Sequence, residues 1–357
     1  MTVEPALAAP SPVPQTPGAP QTPAPQTIVV WRRPEMMTVV GKGTMHRLAG
    51  AVVIAAMLAS GWGPSAFAAD AKQRHFVAPD EAVAALIEAA KAGDKPALLA
   101  ILGPDGKALI SSGDKTADRL ARERFVQSYQ EANQLTKDAD VMTTLSVGKD
   151  AWRFPIPLVK SASGWRFDTA AGKEEILNRR IGENELDVIQ VCFAYVDAQR
   201  EYYLRNASGG SLLEYAQKFA SAAGKRDGLH CEAKPGEEPS PLGSLVTTAR
   251  REGYAAGKPG AAPIPYHGYY YRILTAQGKD TPGGAYDYLA RGHMIGGFAL
   301  VAYPAQYASS GVMTFLVNHD GVVYQQDLGP NTPAIAQAMN RFNPDATGMK
   351  VEPAPGA

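Results

Sequence analysis

The amino-acid sequence predicts an α+β protein with two unlike halves. In each half, apolar residues first recur at helical spacing, and short runs rich in β-branched and aromatic residues follow. Helices followed by consecutive strands favour antiparallel sheets. Of the 357 residues, 45% are apolar and 20% are charged, which is typical of a globular protein and excludes a coiled coil. Basic and acidic residues number 35 each, so the chain has no net charge, which argues against a nucleic-acid partner.

The first 68 residues are predicted to lie outside the fold. Residues 1–44 are rich in proline and should be disordered, or they precede a later true start of translation. Residues 45–68 have the layout of a secretory signal peptide, with basic residues, a short apolar run and small residues before the cut. We expect cleavage between Ala68 and Ala69. The mature protein would then be periplasmic or secreted and would have no stable membrane span.

The first domain is predicted to span residues 69–181. Apolar residues at positions i, i+3, i+4 and i+7 indicate a helix that begins at Pro79 and ends at Gly93. Asp94 is placed to cap a second short helix, and a third helix is expected over about 115–133. Prolines in the second of the strands that follow place it at a sheet edge or at a bulge. Three strands are expected, over residues 144–147, 152–160 and 164–168.

The second domain, residues 182–345, is predicted to begin after a charged helical connector over residues 171–182. A long helix should begin at Glu183 because its apolar residues step by three and four. A shorter helix should cover residues 212–222. A segment rich in proline and glycine, residues 224–268, should form an ordered, irregular loop with short local structure.

An antiparallel meander is predicted to end this domain. Residues 318–321 read as a hairpin turn, since aspartate and glycine tolerate positive φ there. Residues 346–357 should form a disordered tail. Strands are expected over residues 269–275, 285–290, 297–303, 312–317 and 322–326.

Each half resembles a known fold in its pattern. The run EAVAALIEAAKAGDKPALLAIL, with GWRFD further along, resembles the cone-shaped nuclear transport factor 2-like fold. The runs VCFAYVDAQREYYLRN and GVMTFLVNHDGVVYQQDLG are similar to the globular half of type IV pilins and pseudopilins. A pilin joins its polymerisation helix directly to this half, whereas a whole domain intervenes here. The likeness therefore implies a fold and not polymerisation.

As a whole, residues 76–345 resemble an uncharacterised family of bacterial exported proteins, domain of unknown function 2950. The runs GKEEILNRRIGENEL, PYHGYYYRILTAQG and GVVYQQDLGPNT carry the resemblance. The resemblance implies no activity, cofactor or catalytic residue.

A strand unusually rich in tyrosine is the first candidate site. Strand alternation places Tyr269 and Tyr271 on one face and Tyr270 and Arg272 on the other. One hypothesis is a binding surface made by Tyr269, Tyr271 and Arg272, since tyrosine and arginine are enriched at interfaces. The alternative is a strand that packs under the long helix.

Catalytic candidates are sparse. His267, Asp287 and His293 fall near strand ends and could converge in a hydrolase site between the domains. The alternative is that they lie apart as separate polar residues. Neither the zinc pattern HExxH nor the serine elbow GxSxG occurs, and the paired glycines read as turns, so we expect no metal and no cofactor.

The two cysteines, Cys192 and Cys231, are the last candidates. In an oxidising compartment they could form a disulfide that ties the loop to the long helix. The alternative is two buried free thiols.

The sequence therefore favours a non-catalytic binding or assembly module of the cell envelope, with an envelope protein as partner. A periplasmic hydrolase is the alternative. A third hypothesis is a small-ligand cavity behind Trp152 and Trp165 in the first domain.

Overall fold

A computed structural model of the chain describes residues 73–233, 236–255, 262–345 and 347–351. The predicted leader, the signal peptide and the cleavage site between Ala68 and Ala69 lie outside these residues. Helices and antiparallel sheets make up the described part, so the predicted α+β class is confirmed. None of the helices in that part is both long enough and apolar enough for a membrane crossing.

Four helices begin the first half, and their ends follow the predicted signals. Gly93 ends the first of them in the left-handed conformation, with φ of 64°. The Asp94 carboxylate accepts from Ala97 N and caps the second. Asp114 caps the fourth in the same way. The helices are α1 (Pro79–Ala92), α2 (Lys95–Leu102), α3 (Lys107–Ile110) and α4 (Lys115–Glu131).

A small antiparallel sheet completes the first half. Its order is β1-β2-β4-β5, with β3 beside β2, where the strands are β1 (Asn133–Ala139), β2 (Met142–Val147), β3 (Trp152–Arg153), β4 (Leu158–Ser161) and β5 (Gly164–Phe167). The predicted strand over 152–160 is broken in two, because Pro155 and Pro157 cannot donate to a ladder. Strand β1 was not predicted, since most of its side chains are polar and exposed.

One helix, α5 (Thr169–Leu204), joins the halves. The prediction of a connector that ends at Gly182 was wrong, since α5 runs through this position without a break. A single glycine weakens a helix by only about 1 kcal/mol. Arg180 stabilises this stretch by donating to the carbonyl oxygens of Ala108 and Leu109, at 2.7 and 2.6 Å. The predicted domain boundary at 182 thus falls inside a continuous helix.

In the second half, α5 packs against a five-stranded antiparallel sheet of order β14-β13-β12-β11-β6. Two short ladders lie outside this sheet and pair β7 with β8 and β9 with β10. Its strands are β6 (Tyr269–Leu274), β7 (Ala276–Gln277), β8 (Tyr286–Asp287), β9 (Leu289–Ala290), β10 (His293–Met294), β11 (Ala299–Pro304), β12 (Met313–Asn318), β13 (Val323–Asp327) and β14 (Met349–Lys350). The predicted hairpin joins β12 to β13, with Gly321 at φ of 80°. The tail predicted as disordered supplies β14.

The helix predicted over residues 212–222 was wrong. The Gln199 side chain binds both backbone groups of Ala216, which are then not available for helical hydrogen bonds. The predicted loop 224–268 contains a helix, α6 (Gly243–Glu252). Another helix, α7 (Thr332–Ala338), follows the last hairpin and was not predicted.

Candidate functional site

A cavity of about 430 Å³ lies in the second half, between α5, α6 and β6. Helix α6 supplies one wall because its apolar residues recur at positions i, i+3, i+4 and i+7. These residues are Leu242, Leu245, Val246 and Ala249. This spacing was readable in the sequence, but the prolines and glycines around it led to the prediction of a loop.

Aromatic rings form much of the opposite wall, and the hydroxyl groups of several are already bound within the protein. Tyr195 donates to the carbonyl oxygen of Ala299, at 3.2 Å, and Tyr271 donates to that of Tyr266, at 3.3 Å. Burial raises the pKa of Tyr266 to about 12, so its phenol is neutral at physiological pH. The cavity therefore offers apolar ring faces along this wall. Its aromatic lining consists of Tyr195, Phe219, Tyr254, Tyr266, Tyr270 and Tyr271.

One end of the cavity is polar. His230 Nδ1 lies 3.0 Å from Ser240 Oγ, while Nε2 of the same ring is buried and has no hydrogen-bond partner within the described residues. Arg250, on α6, also lines the cavity and pairs with the carboxylate of Glu232. Burial, followed by the nearby Arg250 charge, lowers the pKa of His230, so the ring is neutral at pH 7.

Comparison with protein families identifies the chain. The family described as "Protein of unknown function (DUF2950)" matches residues 73–351, which is most of the sequence. The chain belongs to the DUF2950 family. The resemblance to domain of unknown function 2950 is thereby confirmed, whereas bacterial export and the pilin likeness stay predictions. Comparisons with curated proteins and with solved structures found no match.

In this DUF2950 protein, the predicted binding residues do not form one surface. Tyr269 is fully buried and donates to the carbonyl oxygen of Met313, at 2.9 Å, on the side of α5. Arg272 lies on the other face and donates to the carbonyl oxygens of Ala336 and Met339, at the end of α7. Only Tyr271 borders the cavity. The predicted alternation of the strand is correct, but both of its faces are covered.

The three catalytic candidates do not converge in the DUF2950 structure. His267 precedes β6 and contacts Asp187, with 3.1 Å between Nδ1 and Oδ2. Asp287 pairs with Ala276, which lies just past the opposite end of β6. Because β6 has six residues and spans about 20 Å, His267 and Asp287 are separated by the length of this strand. His293 contacts Glu214 at 2.9 Å. The hydrolase hypothesis therefore loses the residues on which it depended.

The cysteines are free in the DUF2950 structure. Cys192 is fully buried in the second core, whereas Cys231 is only half-buried. The predicted disulfide is therefore absent from this structure.

We predict that iodoacetamide alkylates Cys231 but not Cys192 in the folded protein at about pH 8. Burial raises the pKa of the Cys192 thiol to about 12, so this group is neither ionised nor accessible at that pH. Mass spectrometry should find one added group on the native protein and two after unfolding in urea without reductant. An unfolded protein that takes up no alkyl group would instead contain the disulfide.

A second cavity, of about 300 Å³, lies between α4 and α5 and touches Trp152. Asp118 lines it and accepts from Ser112 N and Oγ, while Lys95 Nζ lies 3.8 Å from the second carboxylate oxygen. Trp165 is buried in the first core and does not line this cavity, so the cavity lies beside Trp152 alone of the two tryptophans. Within the described ranges, no three histidine, cysteine or acidic residues cluster as a metal site would require.

Proposed function

We propose that this DUF2950 protein is an exported, non-catalytic binding module of the cell envelope, and that it binds an apolar ligand in the cavity between α5, α6 and β6. The observation that carries the proposal is the cavity itself. Its volume of about 430 Å³ lies within the range of small-molecule sites, and its walls are aromatic and aliphatic with one polar end. Export and an envelope protein partner rest on the sequence pattern alone.

The position of the cavity supports this proposal. Tyr195 on α5 and Tyr270 and Tyr271 on β6 form the part of the aromatic wall that belongs to or packs against the second core, and Leu300 continues the wall into that core. Its other wall is α6, in which no residue is fully buried. A wall that belongs to the core and an aliphatic wall on a partly exposed helix together give an apolar molecule a preformed surface to bind.

We predict that Ala249→Phe weakens the binding of an apolar fluorescent probe, N-phenyl-1-naphthylamine. Ala249 faces the cavity from α6, so a phenyl ring there would occupy the space that the probe needs. Titration should show probe fluorescence that rises and saturates with the wild-type protein. The affinity of the variant should be weaker by about tenfold or more.

The matched control is Thr248→Phe, on the exposed side of the same helix. It adds the same ring without filling the cavity and should bind the probe as the wild type does. Near-UV circular dichroism would establish that both variants are folded. Equal probe binding by Ala249→Phe and the wild type would refute the proposed site.

A further inference from the structure

At the polar end of the cavity, the neutral ring of His230 and the cation of Arg250 border an otherwise apolar space. His230 lines the cavity and is held by its main chain, since its N donates to Phe219 O at 2.7 Å and its O accepts from Ser221 N at 2.8 Å. Its Nδ1 contacts the Ser240 hydroxyl group. When that hydroxyl donates to Nδ1, the ring proton is on Nε2, the buried atom without a partner. The Nε2 proton of His230 then has no hydrogen-bond acceptor within the described residues.

A carboxylate of the protein already lies at this end. Oε1 of Glu232 is 3.8 Å from His230 Nε2 and pairs with Arg250. The Glu232 side chain is 75% exposed, and ion pairs with exposed partners contribute only about 0–1 kcal/mol. A second carboxylate that arrives from the cavity could therefore replace Glu232 at little cost. It would also bind His230 more closely than Glu232 does.

We propose that the cavity binds a long-chain carboxylic acid, with its carboxylate between His230 Nε2 and the Arg250 guanidinium and its hydrocarbon chain along the aromatic walls. This inference rests on the proposed function, since it names the ligand class of the same site. The Arg250 charge selects an anion over an alcohol or an amine. The apolar interior selects a chain over a small polar acid.

The test is calorimetric titration of the full chain with decanoate, 1-decanol and decyltrimethylammonium, which share one chain length and differ in the head group. We expect decanoate to bind at least about tenfold more tightly than the other two, because hydrogen bonds to charged groups are the stronger ones. Arg250→Gln and His230→Phe should each remove most of this preference. Glu232→Gln should strengthen decanoate binding, since it removes the competing charge.

Arg251→Gln is the matched control, because Arg251 is exposed on the same helix and does not line the cavity. It should retain the preference for decanoate. Equal affinity for all three probes would overturn the head-group assignment and leave the proposed function intact. Preference for decyltrimethylammonium would also overturn it and identify Glu232 as the recognition group. Failure of all three probes to bind would overturn both proposals.

Discussion

Replacing Asp114 with alanine should lower the free energy of unfolding by about 3–5 kcal/mol, because unpaired buried donors are costly. The carboxylate is buried where the two halves meet. One oxygen accepts from Thr116 N and Ala117 N, which begin α4. The other accepts from Tyr254 Oη and Gly268 N in the second half, both at 3.0 Å. The substitution therefore removes a helix cap and a junction between the halves together.

Urea unfolding followed by circular dichroism would measure this effect, and Asp94→Ala is the matched control. Asp94 also caps a helix, but it is exposed and accepts only from Ala97 N. Its loss should lower the free energy of unfolding by about 1 kcal/mol. Equal effects of the two substitutions would show that the contacts of Asp114 to the second half contribute nothing.

Two glycines of α5 should respond to alanine in opposite directions. A Cβ atom at Gly172 would lie 2.2 Å from the carbonyl oxygen of Pro155, a backbone group that cannot turn away. Gly172→Ala should therefore destabilise the protein by about 2–3 kcal/mol. At Gly182, nothing lies within 4 Å of such an atom, so Gly182→Ala should stabilise it by about 0.5–1 kcal/mol.

Thermal and urea unfolding of the two variants would measure both shifts. Each variant adds one methyl group to the same helix, so intrinsic helix propensity is the same in the pair and the difference reports the contact with Pro155. Stabilisation by Gly172→Ala would mean that α5 does not approach this segment closely. Destabilisation by Gly182→Ala would contradict the open surroundings of that position.

Local sequence signals predicted the helices and the hairpin well where a single residue determines the end of a helix or the position of a turn. Gly93 and Asp94 separate α1 from α2 as expected, and the turn at Gly321 forms the expected hairpin. Local signals failed where a distant contact decides the conformation. Residues 212–222 have helical composition, but Gln199 binds the backbone of Ala216. Such a contact between separated parts of the chain has no local signature.

The candidate site was predicted only in part. Alternation along β6 identified the face to which Tyr271 belongs, and Tyr271 does border the cavity. The alternation of a strand does not show which element covers each side chain. Arg272 is covered by α7, a helix more than sixty residues away along the chain. His230 had no local signal of a site, because its neighbours in space, Ser240 and Glu232, form no motif with it in the sequence.

The continuity of α5 limits how the protein can move. Its 36 residues form a rod about 54 Å long, whose first turns pack in the first core and whose later turns pack in the second. Proteins that close around a ligand by a hinge place it in a loop or at the end of an element. Here the midpoint between the cores is helical, so clamshell closure would require this helix to break. Closure of the two halves around a ligand is therefore not expected, and the walls of the cavity all belong to the second half.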